Sequence, residues 1–350
     1  MGPMRIWLDA LTAKQARIAS ILAIEAARRG FEYVITCRDY DYTYPVLSLY
    51  GVNATCIGGH GEDARSKLVK SLERGLMLLN TVGDFDIHIS LTSPDAFRVA
   101  FGLGKPSIAL TDTAHAYHVN RLTLPLASRV IAPSAIPRRR ILAHIPHGDE
   151  GKLITFNGVF EVMWVYRFRP DESHVKALGI EGDYAVFRFE ESRASYYSFG
   201  DQLQVGLNAI GLLLRRGFKV VVFPRYSHQR EAVEARFGEQ VKRGEVIIPN
   251  RPVDGLQLAY YASLVVTGGS TFAVESALLG TPAVSYFPET YYTDRFIIKH
   301  GAPLIRARPK GLLNAIAKGL KMGKVGLVKG LEDPTNLILN TAEDLLNKKE

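Results

Sequence analysis

Gly268, Gly269, Ser270 and Thr271 stand between a short apolar run and a segment of helical periodicity. Residues 264–266 are apolar and rich in β-branched side chains, which suits a buried parallel strand. Ala273, Val274, Ala277 and Leu278 then recur at helical spacing, Gly280 closes the helix, and Pro282 opens a further strand over 283–287. A glycine pair at such a junction permits a tight turn and lets a ligand approach the backbone. The amides of the first helical turn, with the hydroxyls of Ser270 and Thr271, suit a phosphate group. Glu275, about one turn further on, is positioned to accept hydrogen bonds from the ribose of a nucleotide seated there. A Gly-Gly turn also serves as plain punctuation between strand and helix, and Glu275 as a solvated helix residue, so spacing alone leaves both readings open.

A second concentration of chemistry lies in residues 111–135. Asp112, Thr113, His115, His118, Asn120 and Arg121 come directly after a predicted strand at 107–110. In an open parallel sheet, the carboxyl ends of the strands are where ligands bind. Asp112 and His115 are candidates for acid/base catalysis, and Arg121 for pairing with a phosphate or carboxylate. The alternative for Asp112 is a helix cap. A third polar stretch, 190–201, comes after the predicted strand 184–189 and is too long for a tight turn. His60, within Gly58-Gly59-His60-Gly61, is either a ligand-facing residue or part of an exposed turn. No Cys/His metal cluster, P-loop or G-x-S-x-G elbow is present, and His115 and His118 lack a third ligand, so neither a metal nor a cofactor is expected. The loop after the first strand lacks the glycines of a dinucleotide fingerprint, which argues against NAD.

The elements that must hold these residues alternate regularly. Strands are predicted at 5–8, 32–36, 54–57, 86–89, 107–110 and 153–156, and again at 184–189, 219–223, 246–248, 264–266 and 283–287. Helices fill the intervals, as in doubly wound α/β domains. A length of 350 residues exceeds what one core usually serves, so two domains are the default. The net charge of +8 and pI near 9.3 favour anionic partners, whether nucleotide phosphates, nucleic acid or an anionic membrane surface. An aromatic-basic platform and any RNA motif are lacking, so nucleic acid is not expected, and Arg138-Arg139-Arg140 reads as a solvated helix face. Cys37 and Cys56 read as small buried thiols rather than a disulfide, which implies a reducing, cytoplasmic setting. No apolar run approaches the ~18 residues of a membrane span; a peripheral position at the inner face of a membrane stays open.

The run GGSTFAVESALLGTPAV, residues 268–284, resembles the donor-site motif of GT-B enzymes such as UDP-GlcNAc 2-epimerases and MurG-type glycosyltransferases. Those families set a Gly/Ser turn before a helix and a glutamate five residues ahead of the glycine of G-x-P; here these are Glu275, Gly280 and Pro282. The whole chain resembles the DUF354 family. Asp112, Thr113 and His115 match its D-D-T-E-H-A segment, with Ala114 in place of the glutamate, and Asn120 and Arg121 match the Asn-Arg that comes before a helix in the similar epimerase segment. Arg188, Ser192, Arg193 and Ser195 match its R-F and R-A-S elements, with Glu190-Glu191 an acidic departure, and Asn157-Gly158 matches its element at the domain junction. Either Arg188 or Arg193 would neutralise a diphosphate, although Arg188 pairing with Glu190 is an equal alternative.

The resemblance implies a GT-B-like fold: two Rossmann-like doubly wound domains, 1–160 and 168–330, facing each other across a cleft. It also implies a C-terminal helix in 331–350 that returns to the first domain. It implies that Asp9, Thr12 and Lys14 line that cleft, and that the loop with Glu289, Thr290 and Asp294 carries donor contacts. The expected activity is nucleotide-sugar-dependent glycosyl transfer, with Gly268, Gly269, Ser270 and Thr271 on the diphosphate. A lipid-linked or otherwise anionic acceptor at a membrane surface would suit the charge. The alternatives are a UDP-sugar 2-epimerase, against which Ala114 counts, and a nucleotide-sugar-binding protein without catalysis.

Overall fold

The structure, a computed structural model, describes residues 2–40, 42–190, 202–251, 253–289 and 291–347. The chain forms two units: Met1–Trp164 together with Leu331–Glu350, and Val165–Gly330.

Unit 1 is built on seven parallel strands: β1 Arg5–Ala10, β2 Glu32–Cys37, β3 Thr55–Cys56, β4 Ile87–Ser90, β5 Ser107–Leu110, β6 Arg129–Pro133 and β7 Leu153–Phe156. Their order in the sheet is β3-β2-β1-β4-β5-β6-β7. β4 and β5 are buried along their whole length, as expected of strands covered on both faces. The winding reverses between β1 and β4, and it is outside the carboxyl ends of such a pair that a crevice opens. β6 was not legible in the sequence, because Arg129 and Pro133 frame only a short apolar run.

Register corrects the reading of the cysteines. β2 and β3 pair Cys37 with Cys56, and the two are joined in a disulfide with Cα atoms 4.3 Å apart. A separation of 19 residues did not reveal that both would become register partners on neighbouring strands. The inference from free thiols to a reducing compartment falls with that reading. Among the described residues, no helix is long and apolar enough to cross a membrane.

The chain comes back to unit 1 beside Asn157-Gly158. The amide of Glu332 donates to the carbonyl of Asn157 at 2.9 Å, and a Cβ on Gly158 would lie 2.1 Å from the Glu332 carbonyl oxygen. Only glycine permits that crossing. The helix Thr335–Asn347 then meets the helix Ala13–Arg28, where the Arg29 guanidinium bonds Asn336, Asn340 and Glu343.

Unit 2 carries β8 Tyr184–Arg188, β9 Lys219–Phe223, β10 Val246–Ile247, β11 Leu264–Thr267, β12 Ala283–Ser285 and β13 Leu304–Arg306, all parallel. The order β10-β9-β8-β11-β12-β13 is the 3-2-1-4-5-6 winding of a Rossmann domain. Phe187, Val220, Val222, Val266 and Val284 pack against Ile210, Leu213 and Ile316 to form its core. β13, three residues long, also escaped the sequence reading, and it delivers Arg306 to the carboxyl edge of the sheet.

Candidate functional site

In unit 2 the winding reverses between β8 and β11, and the 268–271 turn leaves β11 at that point. Gly268 is fixed by packing: a Cβ there would lie 2.4 Å from the Cβ of Glu190, just beyond β8. Its amide continues the ladder to the carbonyl of Arg188 at 3.0 Å. Gly269 is different. Among the described residues, a Cβ there would meet only the Thr267 hydroxyl, at 3.5 Å. Its amide donates to that hydroxyl at 2.9 Å.

The helix Thr271–Leu278 begins with Ser270 at the N-cap, and no side chain caps it. The leading amides of a helix have no partner within the helix, and among the described residues no side-chain cap takes them here. The turn is braced from beneath. The Ser285 hydroxyl donates to the carbonyl of Gly269 at 3.0 Å, and Arg306 donates to that hydroxyl at 2.5 Å. Arg306 also bonds the carbonyls of Phe287 and Glu289, and its Nε lies 3.5 Å from the buried Asp294 carboxylate. Ser285 and Arg306 were not singled out in the sequence. Asp294 was, but it caps the helix Tyr292–Lys299 and pairs with Arg306.

Glu275 is 5% exposed on the second turn of its helix. The Glu190 carboxylate accepts the Tyr286 hydroxyl at 2.7 Å, and the Arg188 guanidinium lies 6.0 Å from the Phe272 ring centre. Ser192, Arg193, Ser195 and Thr290 lie outside the described residues.

In unit 1 the structure draws Asp112 into a buried charge cluster. Lys14, in the first turn after β1, forms ion pairs with Asp112 and with Glu161, the latter at 2.5 Å. Burial alone would raise the pKa of the Asp112 carboxyl. The Lys14 ammonium and a bond from the Thr113 hydroxyl outweigh it and hold the group below its ordinary range. Burial would likewise discharge Lys14, but the two carboxylates keep it firmly protonated. Asp112 is therefore an ionised base or electrostatic group, not an acid, near neutral pH. Asn120 is buried and structural: its amide donates to the Thr113 carbonyl at 2.9 Å and its carbonyl accepts from Thr111 at 3.2 Å. His115 and Arg121 are exposed, and Arg121 lies 4.4 Å from the Tyr117 ring centre.

Glu161 was missed, yet it left a signal as the lone carboxylate within the apolar run 159–165. It is 4% exposed. The expectation for Asp9 is corrected. β1 extends through Ala10, so Asp9 is an interior strand residue rather than a loop residue. It accepts both Arg74 Nη atoms, at 2.6 and 3.1 Å, together with the hydroxyls of Thr36 and Ser93. Arg74, 1% exposed, also reaches Asp95 at 3.2 Å. Among the described residues, no group of three or more His, Cys, Asp or Glu side chains is placed to hold a metal ion.

The comparisons with known proteins agree with this architecture. The family described as "Protein of unknown function (DUF354)" matches residues 4–347. The uncharacterized protein MJ0665 of Methanocaldococcus jannaschii is 29% identical over 341 residues, covering 95% of this chain and 96% of the relative. Among solved structures, the fold is similar to that of the M. jannaschii UDP-GlcNAc 2-epimerase in complex with UDP-GlcNAc and UDP. That match has a TM-score of 0.74 at 14% identity and covers 97% of this chain and 100% of the other. The glycotransferase of kitacinnamycin is also similar, with a TM-score of 0.61 at 14% identity over 99% and 100% of the two chains. At such identities the likeness is one of fold: two GT-B-like parallel-sheet domains.

Proposed function

This chain belongs to the DUF354 family, and from that premise we propose that it is a glycosyltransferase-like enzyme that uses a nucleotide-sugar donor. The observation that carries the reading is the 268–271 turn: a helix start without a side-chain cap at the reversal of a Rossmann-ordered sheet, uncrowded at Gly269 among the described residues and braced through Ser285 by Arg306. The likeness of fold to an enzyme crystallised with UDP-GlcNAc and UDP supports a nucleoside diphosphate sugar as the occupant.

In glycosyl transfer, the bond between the anomeric carbon and the diphosphate oxygen breaks, and its electron pair leaves on the phosphate. The acceptor oxygen bonds to the anomeric carbon and gives its proton to a base. Amides at a helix start stabilise the departing diphosphate without having to reorganise. In this reading Ser270 and Thr271 add hydroxyls, Glu275 accepts from the ribose, and Arg188 carries positive charge toward the phosphates. The proton falls to Asp112, which Lys14 keeps ionised. Donor binding is independent of metal in this scheme, so chelation leaves it unchanged.

A second reading, 2-epimerisation of the same donor, is favoured by the Lys14 cluster, which sets one ammonium between two carboxylates. The two readings part on one assay. Incubated with UDP-GlcNAc alone, an epimerase yields the C2 epimer, whereas a transferase leaves the donor intact until an acceptor is supplied.

The binding step is tested by thermal shift and calorimetry with UDP, GDP, CMP and their sugars. Gly269→Val, whose Cβ would meet only the Thr267 hydroxyl among the described residues, covers the turn and should abolish donor binding while preserving the melting temperature. Unchanged donor binding in that variant would remove the basis of the proposal.

A further inference from the structure

Unit 1 has its own crevice at the reversal between β1 and β4, and the nucleotide reading leaves it unused. We propose that this crevice is an anion site that takes the phosphate group of a small phosphorylated molecule, held by Arg38 and Lys67 with His60 at the rim. The proposal does not rest on the turn of unit 2.

The cavity measures about 260 Å³ and is lined by Thr12, Arg38, His60, Lys67 and Thr92, among others. Among the described residues, neither Arg38 nor Lys67 forms an ion pair. Arg38 donates through Nη2 to the Leu11 carbonyl at 3.2 Å and lies 5.1 Å from the Tyr40 ring centre, but its buried Nε has no partner. The carboxylate in the lining, Asp95, is already bound by Arg74 and by the Ser71 hydroxyl. Lys70 adds a further positive charge, shared with Glu73. Arg38 feels Asp95 and Asp9 but, among the described residues, neither cation is in an ion pair, and two such cations lining one cavity suit a dianion better than a carboxylate.

The backbone is arranged to bring these groups together. A Cβ on Gly61 would fall 2.3 Å from the Lys67 amide nitrogen, so only glycine lets the 58–61 loop lie on the first turn of the helix Ala64–Thr81. That contact sets His60 and Lys67 on the same rim. Asp63 already caps this helix, so the attraction for an anion comes from side chains, not from the helix end. Thr92, also in the lining, is held at φ +49°, the one non-glycine residue at positive φ among the described residues. Strain of this kind persists where the surroundings over-determine it, commonly at binding sites. The local field is consistent with this: burial first, then Arg38 and Lys67, depress the His60 imidazole below its ordinary value.

The test uses the full chain in phosphate-free buffer, with inorganic phosphate and glucose 1-phosphate as probes and glucose as the neutral control. Calorimetry should show saturable binding of both phosphates and none of glucose. Removing a charge-assisted partner should weaken it by about tenfold in Arg38→Met and severalfold in Lys67→Met, while Gly269→Val has no effect. Saturation should also shift the His60 imidazole resonance, identified with His60→Asn. Lys67 is exposed, so its variant carries the test if Arg38→Met fails to fold. Absence of saturable binding would overturn the proposal. So would binding that both charge variants leave unaltered, or binding lost only in Gly269→Val, which would put the phosphate on unit 2.

Discussion

In unit 1 the fourth strand in the winding ends Ser90-Leu91-Thr92-Ser93-Pro94; in unit 2 its counterpart ends Thr267-Gly268-Gly269-Ser270. Both segments turn a parallel strand into a helix at the point where the sheet reverses. Unit 1 makes the turn with side chains and sets it above an enclosed ion network, in which Arg74 bridges Asp9 and Asp95 and Ser93 ties the turn to Asp9. Unit 2 makes it with glycine against an interior of Phe187, Phe189 and Tyr286, and leaves the first amides of the helix uncapped. On our proposals, one topology yields two anion sites, one offering guanidinium and ammonium groups and the other main-chain NH. A buried ion pair costs desolvation and is weak evidence for stability. What it supplies here is a fixed polar floor beneath a cavity.

The sharpest break of that comparison is Arg74→Met, which strands two carboxylates inside unit 1. A loss of about 3–5 kcal/mol is expected, read by urea unfolding as a shifted transition for unit 1 with unit 2 unmoved. Equal shifts in both units would mean that the ion network is not confined to unit 1 in its effect.

Next in size is a pH effect. His88 is buried, bonded to the Trp7 carbonyl and the Ser90 hydroxyl, and burial pushes its pKa down to about 4. Below pH 6.5 the unfolded chain takes up a proton that the folded chain refuses, so stability falls as pH drops from 6.5 toward 4. The loss attributable to this group is at most about 3 kcal/mol, and His88→Gln should flatten that window. Asp9, held low by Arg74, contributes its own loss only at more acidic pH.

Gly268→Ala is expected to cost about 1–3 kcal/mol by overpacking against Glu190, with Gly269→Ala nearly silent as its control. Similar losses at both positions in thermal melts would show that Gly269 is also there for packing. The smallest effect is Thr92→Gly. Relief of a left-handed residue, roughly 1–2 kcal/mol, is about half offset by the extra freedom glycine has when unfolded, about 0.5–1 kcal/mol. A net change within about 0.5–1 kcal/mol is therefore expected, and a larger loss would mean that the Thr92 side chain holds the turn.

Much of this could be read from the chain alone, and the remainder could not, for a definite reason. The β-branched runs, the helical spacing of apolar residues and the 268–271 glycines are local signals. Strand, turn and helix propensities act over a few residues. Most predicted strands therefore lie within a residue or two of the observed ones, and the turn is found between strand and helix as expected. Short strands without that signature, β6 and β13, were lost, and Arg306 with the second of them.

What sequence alone determined is the alternation of elements and the candidate chemistry at their ends. Partnership was decided only by the tertiary structure. Lys14 meets Glu161 across 147 residues, Arg74 meets Asp9 across 65, and Cys37 meets Cys56 through strand register. Each depends on which strands lie side by side, and a carboxylate or thiol looks the same in the chain whether its neighbour in the fold is water, an ammonium or another sulfur.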